Sequence, residues 1–421
     1  MYALEGRIKR LCGEIASLLS RNVEKIDNVY IRQGKLGMPC KLSDVADGFV
    51  PYKCGDEWSD TNFDSDALFR FNIEIPEAIE GQDYYLNITT NKGGGHNMVR
   101  PQMTICIDDV ALQGLDTNHE NVKMTEYCGK GKKEVNLYAF SGMPVKTPFG
   151  AWVDNSKTDG VRLYLNLQIR DKRIEEYYYN IQTPYEYLHC LDKNSEEYQK
   201  ILNSLNDSLS LIDLREPYSE GFYESLKKAN DFIKDSLYSK SYNLLSNATL
   251  IGHTHIDIAW LWQYRHTRDK AVRSFATEVN LLNDYDEHRF MSSQAQLYEY
   301  VKEDCPELFD RIKELAAQGK WDAEGSMWVE PDMNLSSGES IIRQILYGKR
   351  FFKDEFGVDC KILWLPDVFG YTAALPQILE KSGIKYFMTA KLLSNQLNPF
   401  PYDTFTWKGI DGSEVLSHCS N

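Results

Sequence analysis

Apolar residues recur along the chain with three rhythms, and each predicts a different architecture. Over residues 3–22, Leu4, Ile8, Leu11, Ile15 and Leu18 follow one another at steps of three or four, the spacing of an amphipathic helix. From about 45 to 190 the step shortens to two. The runs Phe69-Arg-Phe-Asn-Ile-Glu-Ile, Tyr84-Tyr-Leu-Asn-Ile-Thr, Thr104-Ile-Cys-Ile-Asp, Glu134-Val-Asn-Leu-Tyr and Val161-Arg-Leu-Tyr-Leu-Asn-Leu-Gln-Ile alternate apolar and polar positions between Gly, Asn and Asp clusters. That texture predicts an antiparallel β-sandwich. Helical spacing returns from about 193 to 243, in Leu202, Leu205 and Leu209 and then Phe222, Leu226, Ala229, Phe232 and Ile233, with Pro217 dividing the segment. Beyond 248, strands expected at Thr249–Gly252, Arg289–Ser293, Trp321–Met327, Ile362–Leu365, Tyr386–Thr389 and Val415–His418 alternate with helical patterns. Pro306 opens one of those helices and Gly319 follows its end, while Ser336-Ser-Gly-Glu339 reads as a capping box before the next. Such alternation predicts a parallel α/β domain. The expected organisation is an N-terminal helix and lead-in (1–44), a sandwich (45–190), a helical connector (191–247) and an α/β domain (248–421).

Composition changes this picture little, but it narrows the partners. At 421 residues the chain is too long for one ordinary core. A net charge of −15 argues against nucleic acid or an anionic membrane as partner, since both would be repelled, and favours a neutral substrate. The nine cysteines include no Cys-x-x-Cys pair, which reads as reduced thiols in a cytoplasmic protein. The N-terminus carries no signal-like apolar run, and no window reaches membrane-spanning length. The sequons Asn87-Ile-Thr and Asn247-Ala-Thr then carry no weight. Two polar stretches in the sandwich suggest chemistry but support it weakly. Asn91-Lys-Gly-Gly-Gly-His-Asn97 lacks the Lys-Ser/Thr ending and following helix of a phosphate loop. Asp116-Thr-Asn-His-Glu120 reads as a hydrogen-bonded turn before it reads as a metal site.

The chemistry gathers after residue 250. In Ile251-Gly-His-Thr-His-Ile-Asp-Ile-Ala-Trp-Leu-Trp262, extended backbone would put His253, His255 and Asp257 on one face, with ligand types that suit Zn²⁺. Trp260 and Trp262 follow, flat apolar plates that suit the C–H face of a sugar ring. The carboxyl ends of the expected strands also deliver Gln294, then Trp328, Glu330 and Asp332, then Asp367 with Phe369, then Lys391 and His418. A parallel sheet brings such ends to one rim. Asp367, straight after an apolar strand and Pro366, is placed as a metal ligand or nucleophile must be, with a helix N-cap as the plainer alternative.

Four segments in order, His253-Thr-His-Ile-Asp-Ile-Ala-Trp260, Trp328-Val-Glu-Pro-Asp332, Trp364-Leu-Pro-Asp-Val-Phe-Gly-Tyr371 and Phe405-Thr-Trp-Lys-Gly-Ile-Asp-Gly412, resemble the catalytic domain of the glycoside hydrolase family 38 α-mannosidases, cytosolic type. The stretch Gly-Leu-Asp-Thr-Asn-His119 resembles the accessory domain that precedes the barrel in that branch. The resemblance implies a seven-stranded β/α barrel, a bound Zn²⁺ and retaining hydrolysis of α-mannosides in oligosaccharides or small mannosides. It makes His255 and Asp257 zinc ligands and Asp367 both ligand and nucleophile. Trp260 and Phe369 become walls of the sugar subsite, with Lys391, Trp328 and Asp332 as further substrate contacts. One departure is Ser326, where the branch pattern has a second glycine before the tryptophan. Another is that the family's remaining histidine ligand and its acid/base carboxylate come later than residue 421, and only six strands are expected after 248. The barrel is therefore expected to be incomplete, the isolated chain poorly active, and its open edge prone to association, with homo-oligomers left open. Two other classes compete. A zinc amidohydrolase also carries His-x-His at a first barrel strand but needs further imidazoles, of which only His418 is well placed. A non-catalytic carbohydrate binder would keep the aromatic rim alone.

Overall fold

The computed structural model describes residues 2–34, 45–59, 65–92, 100–142, 160–239, 249–260, 262–395 and 397–420. Gly93–Asn97 of the glycine-rich stretch, the sequon residue Asn247 and Ala248 ahead of the first α/β strand lie outside the described residues.

Helix α1 (Tyr2–Ser17) leads into strands β1 (Ser20–Lys25), β2 (Val29–Gln33), β3 (Val50–Tyr52), β4 (Asp66–Glu74), β5 (Gln82–Thr90), β6 (Gln102–Ile107), β7 (Val110–Asp116), β8 (Asn121–Lys123), β9 (Lys132–Phe140) and β10 (Leu163–Asp171). They pair antiparallel into a six-stranded sheet, β3-β2-β4-β9-β6-β7, and a four-stranded sheet, β1-β10-β5-β8. The alternating residues meet between them: Phe69, Phe71, Ile105 and Leu137 from one sheet face Leu86, Ile88, Leu165 and Leu167 from the other. Each such side chain contributes about 1.5–3 kcal/mol of burial. Both sheets recruit strands from before residue 45: β1 forms an edge beside β10, and β2 pairs with β4 on one side and β3 on the other.

Helices α2 (Lys172–Tyr187), α3 (Glu196–Leu211) and α4 (Glu220–Ile233) follow directly. Ser195 and Ser219 cap α3 and α4, accepting from Tyr198 N and Phe222 N. Ile8 and Ile15 of α1 share one core with Ile174, Tyr177, Leu202, Leu205, Phe222 and Leu226, so the first helix packs on this later helical layer.

The remaining elements are β11 (Gly252–His253), α5 (Tyr264–Asp284), β12 (Phe290–Ser292), α6 (Ala295–Asp304), α7 (Pro306–Ala317), β13 (Trp321–Ala323), α8 (Gly338–Phe356), β14 (Ile362–Leu365), α9 (Leu375–Lys381), β15 (Tyr386–Thr389), β16 (Thr404–Lys408) and β17 (Glu414–Cys419). Each expected strand has a counterpart, though the first is Gly252–His253 and not Thr249–Gly252, with Leu250 88% exposed, and together they do not form one parallel sheet. Among the described residues β11-β12-β13 form a parallel sheet, and β14-β15-β17 form a second, with β16 added antiparallel to β17. The break falls between β13 and β14. There the Glu324 carboxylate accepts from Lys361 N (2.9 Å) and Ile362 N (3.1 Å), capping amides that a backbone ladder would otherwise use. The Phe405–Gly412 segment supplies β16 and the turn of this antiparallel hairpin. Helix α8 is capped by Ser337, which accepts from Ser340 N, so Ser336 is not its cap, and Glu339 pairs with Arg343 instead. Pro306 and Gly319 bracket α7 as expected.

Helix α5 joins the sandwich to the α/β part. Leu68, Cys106 and Tyr138 on the outer face of the six-stranded sheet share a core with Val272, Phe275 and Val279. Tyr138 Oη donates to Asp269 Oδ2 (3.0 Å), and Gly114 N donates to Thr277 Oγ1 (2.8 Å). A Cβ on Gly114 would lie 3.1 Å from Arg273 Cβ, so glycine there allows the close approach. No described helix is long and apolar enough to cross a membrane.

Candidate metal centre and sugar cleft

Extended structure ends at His253, and the expected trio divides there. His253 Nδ1 donates to Met291 O (3.0 Å), and its Nε2 accepts from Trp364 Nε1 (3.1 Å). Both nitrogens are thus spent on linking β11 to β12 and β14, and burial lowers the pKa, favouring the neutral ring. His253 is a structural bridge and not part of a ligand face. Three residues on, Ile256 is wholly buried while His255 and Asp257 on either side of it are only partly so.

His255 Nε2 lies 3.0 Å from Asp257 Oδ1 and 3.7 Å from Asp367 Oδ2. One ligand atom from each of the three residues falls within 4.8 Å of the others. His255 Nδ1 faces Glu330 Oε1 at 2.9 Å. Burial pulls the His255 pKa down, but hydrogen bonds to Asp257 and Glu330 outweigh it and hold the pKa at about 10 without a cation. Glu330 takes a task that the sequence alone does not reveal. It lies within the Trp328–Asp332 segment, but nothing in spacing alone distinguishes it from Asp332. Its side chain is only 6% exposed, and among the described residues Oε2 has no hydrogen-bond partner. A carboxylate on Nδ1 fixes the ring and turns Nε2 toward Asp257 and Asp367, the arrangement that outer-shell partners give metal-binding histidines.

The backbone carrying Glu330 is irregular and held from three sides. Ala295 N and Gln296 N at the start of α6 donate to Met327 O (3.2 Å) and Trp328 O (3.0 Å). From α8, Gln344 accepts from Trp328 N through its backbone and from Val329 N through Oε1, both at 3.0 Å. Gln294 supplies the third hold: Nε2 donates to Ile256 O (2.9 Å), and Oε1 accepts from Glu330 N (3.2 Å). Ser326 adopts φ +71°, a region that suits glycine, and its Oγ donates to Ile362 O (2.7 Å). The serine departure noted above is therefore a local conformational cost partly offset by one hydrogen bond.

Asp367 follows β14 by two residues. Tyr371 Oη contacts Leu365 O (3.1 Å) and Val368 O (3.0 Å) and exchanges a hydrogen bond with Thr389 Oγ1, clamping the turn that carries Asp367. Asp367 caps no helix and instead pairs with Lys391 Nζ at 2.5 Å. Lys391 Nζ also sits 4.8 Å from the Phe369 ring centroid. A cleft of about 380 Å³ is lined by Asp257, Trp260, Glu330, Asp332, Asp367, Phe369 and Lys391, among others. Phe369 is 83% exposed and Trp260 55% exposed, and both rings border this cleft. Asp332 Oδ1 accepts from Asn334 N and Leu335 N, so its turn fixes it at the rim. Trp328 does not line this cleft: its indole N–H bonds Gln296 Oε1 (3.0 Å) and its ring meets Phe351 edge-on at 5.9 Å.

No further imidazole joins the site among the described residues. His418 lies on the exposed face of β17 beside Thr404 Oγ1 (2.9 Å). His266 accepts from Gln263 N as the capping group of α5, and His288 faces Glu278. His119 closes a turn on Asp116. The imidazole set that an amidohydrolase needs is not assembled here.

Residues 246–421 match the glycosyl hydrolases family 38 N-terminal domain. Alpha-mannosidase G of Dictyostelium discoideum is 40% identical over 254 residues, 60% of this chain and 23% of that protein. Alpha-mannosidase 2C1 of Mus musculus is 32% identical over 379 residues, 89% of this chain and 35% of that protein. The chain thus spans 23% to 35% of the length of these two relatives. An alpha-mannosidase structure from Enterococcus faecalis V583 aligns with 40% of this chain and 19% of its own at 20% identity and TM-score 0.34, too loosely to carry any argument. On the matched segment and these identities, residues 246–421 of the chain belong to glycosyl hydrolase family 38.

Proposed function

We propose that the protein is a zinc-dependent retaining α-mannosidase acting on mannose-containing oligosaccharides or small α-mannosides. The observation that carries this reading is the convergence of His255, Asp257 and Asp367 beside a cleft with two exposed aromatic rings. The donors fit the ion. Neighbouring ligands of a tetrahedral zinc lie about 3.3 Å apart when each bond is about 2.0–2.1 Å. The observed separations from His255 Nε2, 3.0 and 3.7 Å, bracket that value. A bound Zn²⁺ would supply fixed positive charge against which the hydroxyls of the sugar are oriented. The protein's own groups have distinct tasks. Asp367 attacks the anomeric carbon as the bond to the leaving oxygen breaks and a general acid protonates that oxygen; water then cleaves the glycosyl ester. Lys391 orients the Asp367 carboxylate. Trp260 and Phe369 receive the C–H face of the ring, and Asp332 accepts from a hydroxyl at the rim. Glu330 holds the His255 ring so that Nε2 stays directed at the site.

The same reading takes the two parallel sheets as arcs of a (β/α)7-type barrel preceded by the sandwich and helical layer, the sandwich drawing in β1 and β2 and the helical layer drawing in α1 and α2. It also places the enzyme in the cytoplasm, in keeping with the free thiols of all cysteines among the described residues. The test is zinc content together with turnover of an aryl α-mannoside by the full-length protein, and the anomeric configuration of the first-formed product. Binding without turnover, or hydrolysis of amides in its place, refutes it.

A further inference from the structure

We propose that Thr267 and Trp262 form a positioning relay that couples the metal-ligand segment at Asp257 to the sugar platform at Trp260. Thr267 is wholly buried in the first turn of α5. Its single hydroxyl proton goes to Asp257 O (2.9 Å), and its oxygen accepts from Trp262 Nε1–H, also at 2.9 Å. The Trp262 ring then meets Trp260 edge-on, with centroids 5.9 Å apart and planes at 88°. Lys270 Nζ sits 5.2 Å from the centroid of the Trp262 ring and steadies it.

The hydroxyl is not needed by the helix that carries it. The start of α5 is served by His266, whose Nδ1 accepts from Gln263 N at 3.1 Å. A threonine within a helix commonly bonds the carbonyl four residues back. Thr267 reaches outside the helix instead. The segment from Asp257 to Trp262 is therefore fastened to α5 at both ends through one oxygen atom. Asp257 faces the cation site from one end, and Trp260 faces the sugar near the other. Moving Thr267 moves both together, while disturbing the indole N–H alone moves only the platform.

This inference rests on the α-mannosidase reading, and the experiment separates the two. In the full-length protein, zinc affinity is measured by competition with a chromophoric chelator, and KM and kcat with an aryl α-mannoside. Thr267→Val keeps the shape and removes both hydrogen bonds; we expect zinc affinity to fall about tenfold, as for outer-shell partners of metal sites, and KM to rise. Trp262→Phe removes the indole N–H and part of the ring that meets Trp260 but leaves the Thr267–Asp257 bond in place, so KM rises several-fold while zinc affinity stays within about twofold and kcat changes little. Thr267→Ser restores zinc affinity and KM. Wild-type zinc affinity and KM in Thr267→Val, or a Thr267→Ser variant no better than the valine, overturns the relay. Should Thr267→Val not fold, Trp262→Phe decides: a loss of zinc affinity as large as the rise in KM, or no change in either, overturns it. A wild-type protein that neither binds zinc nor cleaves the mannoside overturns the functional reading and the relay with it.

Discussion

The hold on the site by Gln294 gives a sharp prediction for Gln294→Met. Gln294 is 4% exposed and has φ +66°. Methionine has similar length and meets the same backbone cost at positive φ, so that cost cancels between the two proteins. What changes is the loss of two hydrogen bonds, to Ile256 O at 2.9 Å and from Glu330 N at 3.2 Å. A buried polar group left without a partner costs about 1–3 kcal/mol, so the pair amounts to roughly 2–6 kcal/mol. For a cooperative unit of 150–250 residues, where each kcal/mol shifts Tm by about 2–4 °C, the expected fall is on the order of 10 °C. Function suffers separately. Ile256 lies between His255 and Asp257, and Glu330 orients His255. Slackening both should weaken zinc binding by about 10–100-fold. Thermal unfolding of metal-free protein reads the first effect, and chelator competition the second. A variant that keeps wild-type Tm and zinc affinity would refute the view that this side chain holds the site together.

Asp367→Asn keeps a carbonyl ligand but removes the nucleophile, so turnover should fall by orders of magnitude with a smaller loss of zinc, whereas Asp257→Asn should chiefly lower zinc content; equal metal loss in both would contradict separate roles. Burial pushes the Lys270 pKa down from 10.5 to about 8. Between those values the unfolded chain holds a proton that the folded protein has released, so stability rises with pH there. Below pH 8 the buried charge costs the fold on the order of 3 kcal/mol. Lys270→Met should therefore raise Tm near pH 7, less about 0.5–1 kcal/mol for the lost contact with Trp262, with the gain fading towards pH 10.5; an unchanged or lowered Tm at pH 7 would count against that cost. Ser326→Gly relieves about 1–2 kcal/mol at φ +71° and forfeits a hydrogen bond of about 0.5–1.5 kcal/mol, so denaturation midpoints should barely move, and a large loss would show that the bond to Ile362 O matters more than the backbone.

The chain's periodicity by itself determined the kinds of element and most of their positions. Alternation in Phe69–Ile75 and Leu163–Ile169 leaves one strand face to bury, and β4 and β10 follow. The strands Ile362–Leu365 and Tyr386–Thr389 stand where their apolar runs put them. Residue type and position also brought out His255, Asp257, Asp367, Trp260, Phe369 and Lys391, because side chains just past strand ends reach a common rim. These are local properties, fixed by a period of two or four and by turn residues.

What only the tertiary structure decided depends on partners distant in sequence. Nothing near His253 reveals that both ring nitrogens are taken by Met291 and Trp364. Trp328 looks like a sugar platform until Gln296 and Phe351 are seen to occupy it. Glu330 gains its role from a histidine 75 residues away. The strand patterns did not show that the ladder parts between β13 and β14, where the Glu324 carboxylate takes the amides of Lys361 and Ile362 while Trp364 N still donates to Gly325 O. Local pattern says which way a side chain faces. Which atom already occupies that side chain's hydrogen-bonding capacity is settled only when the fold brings distant segments together.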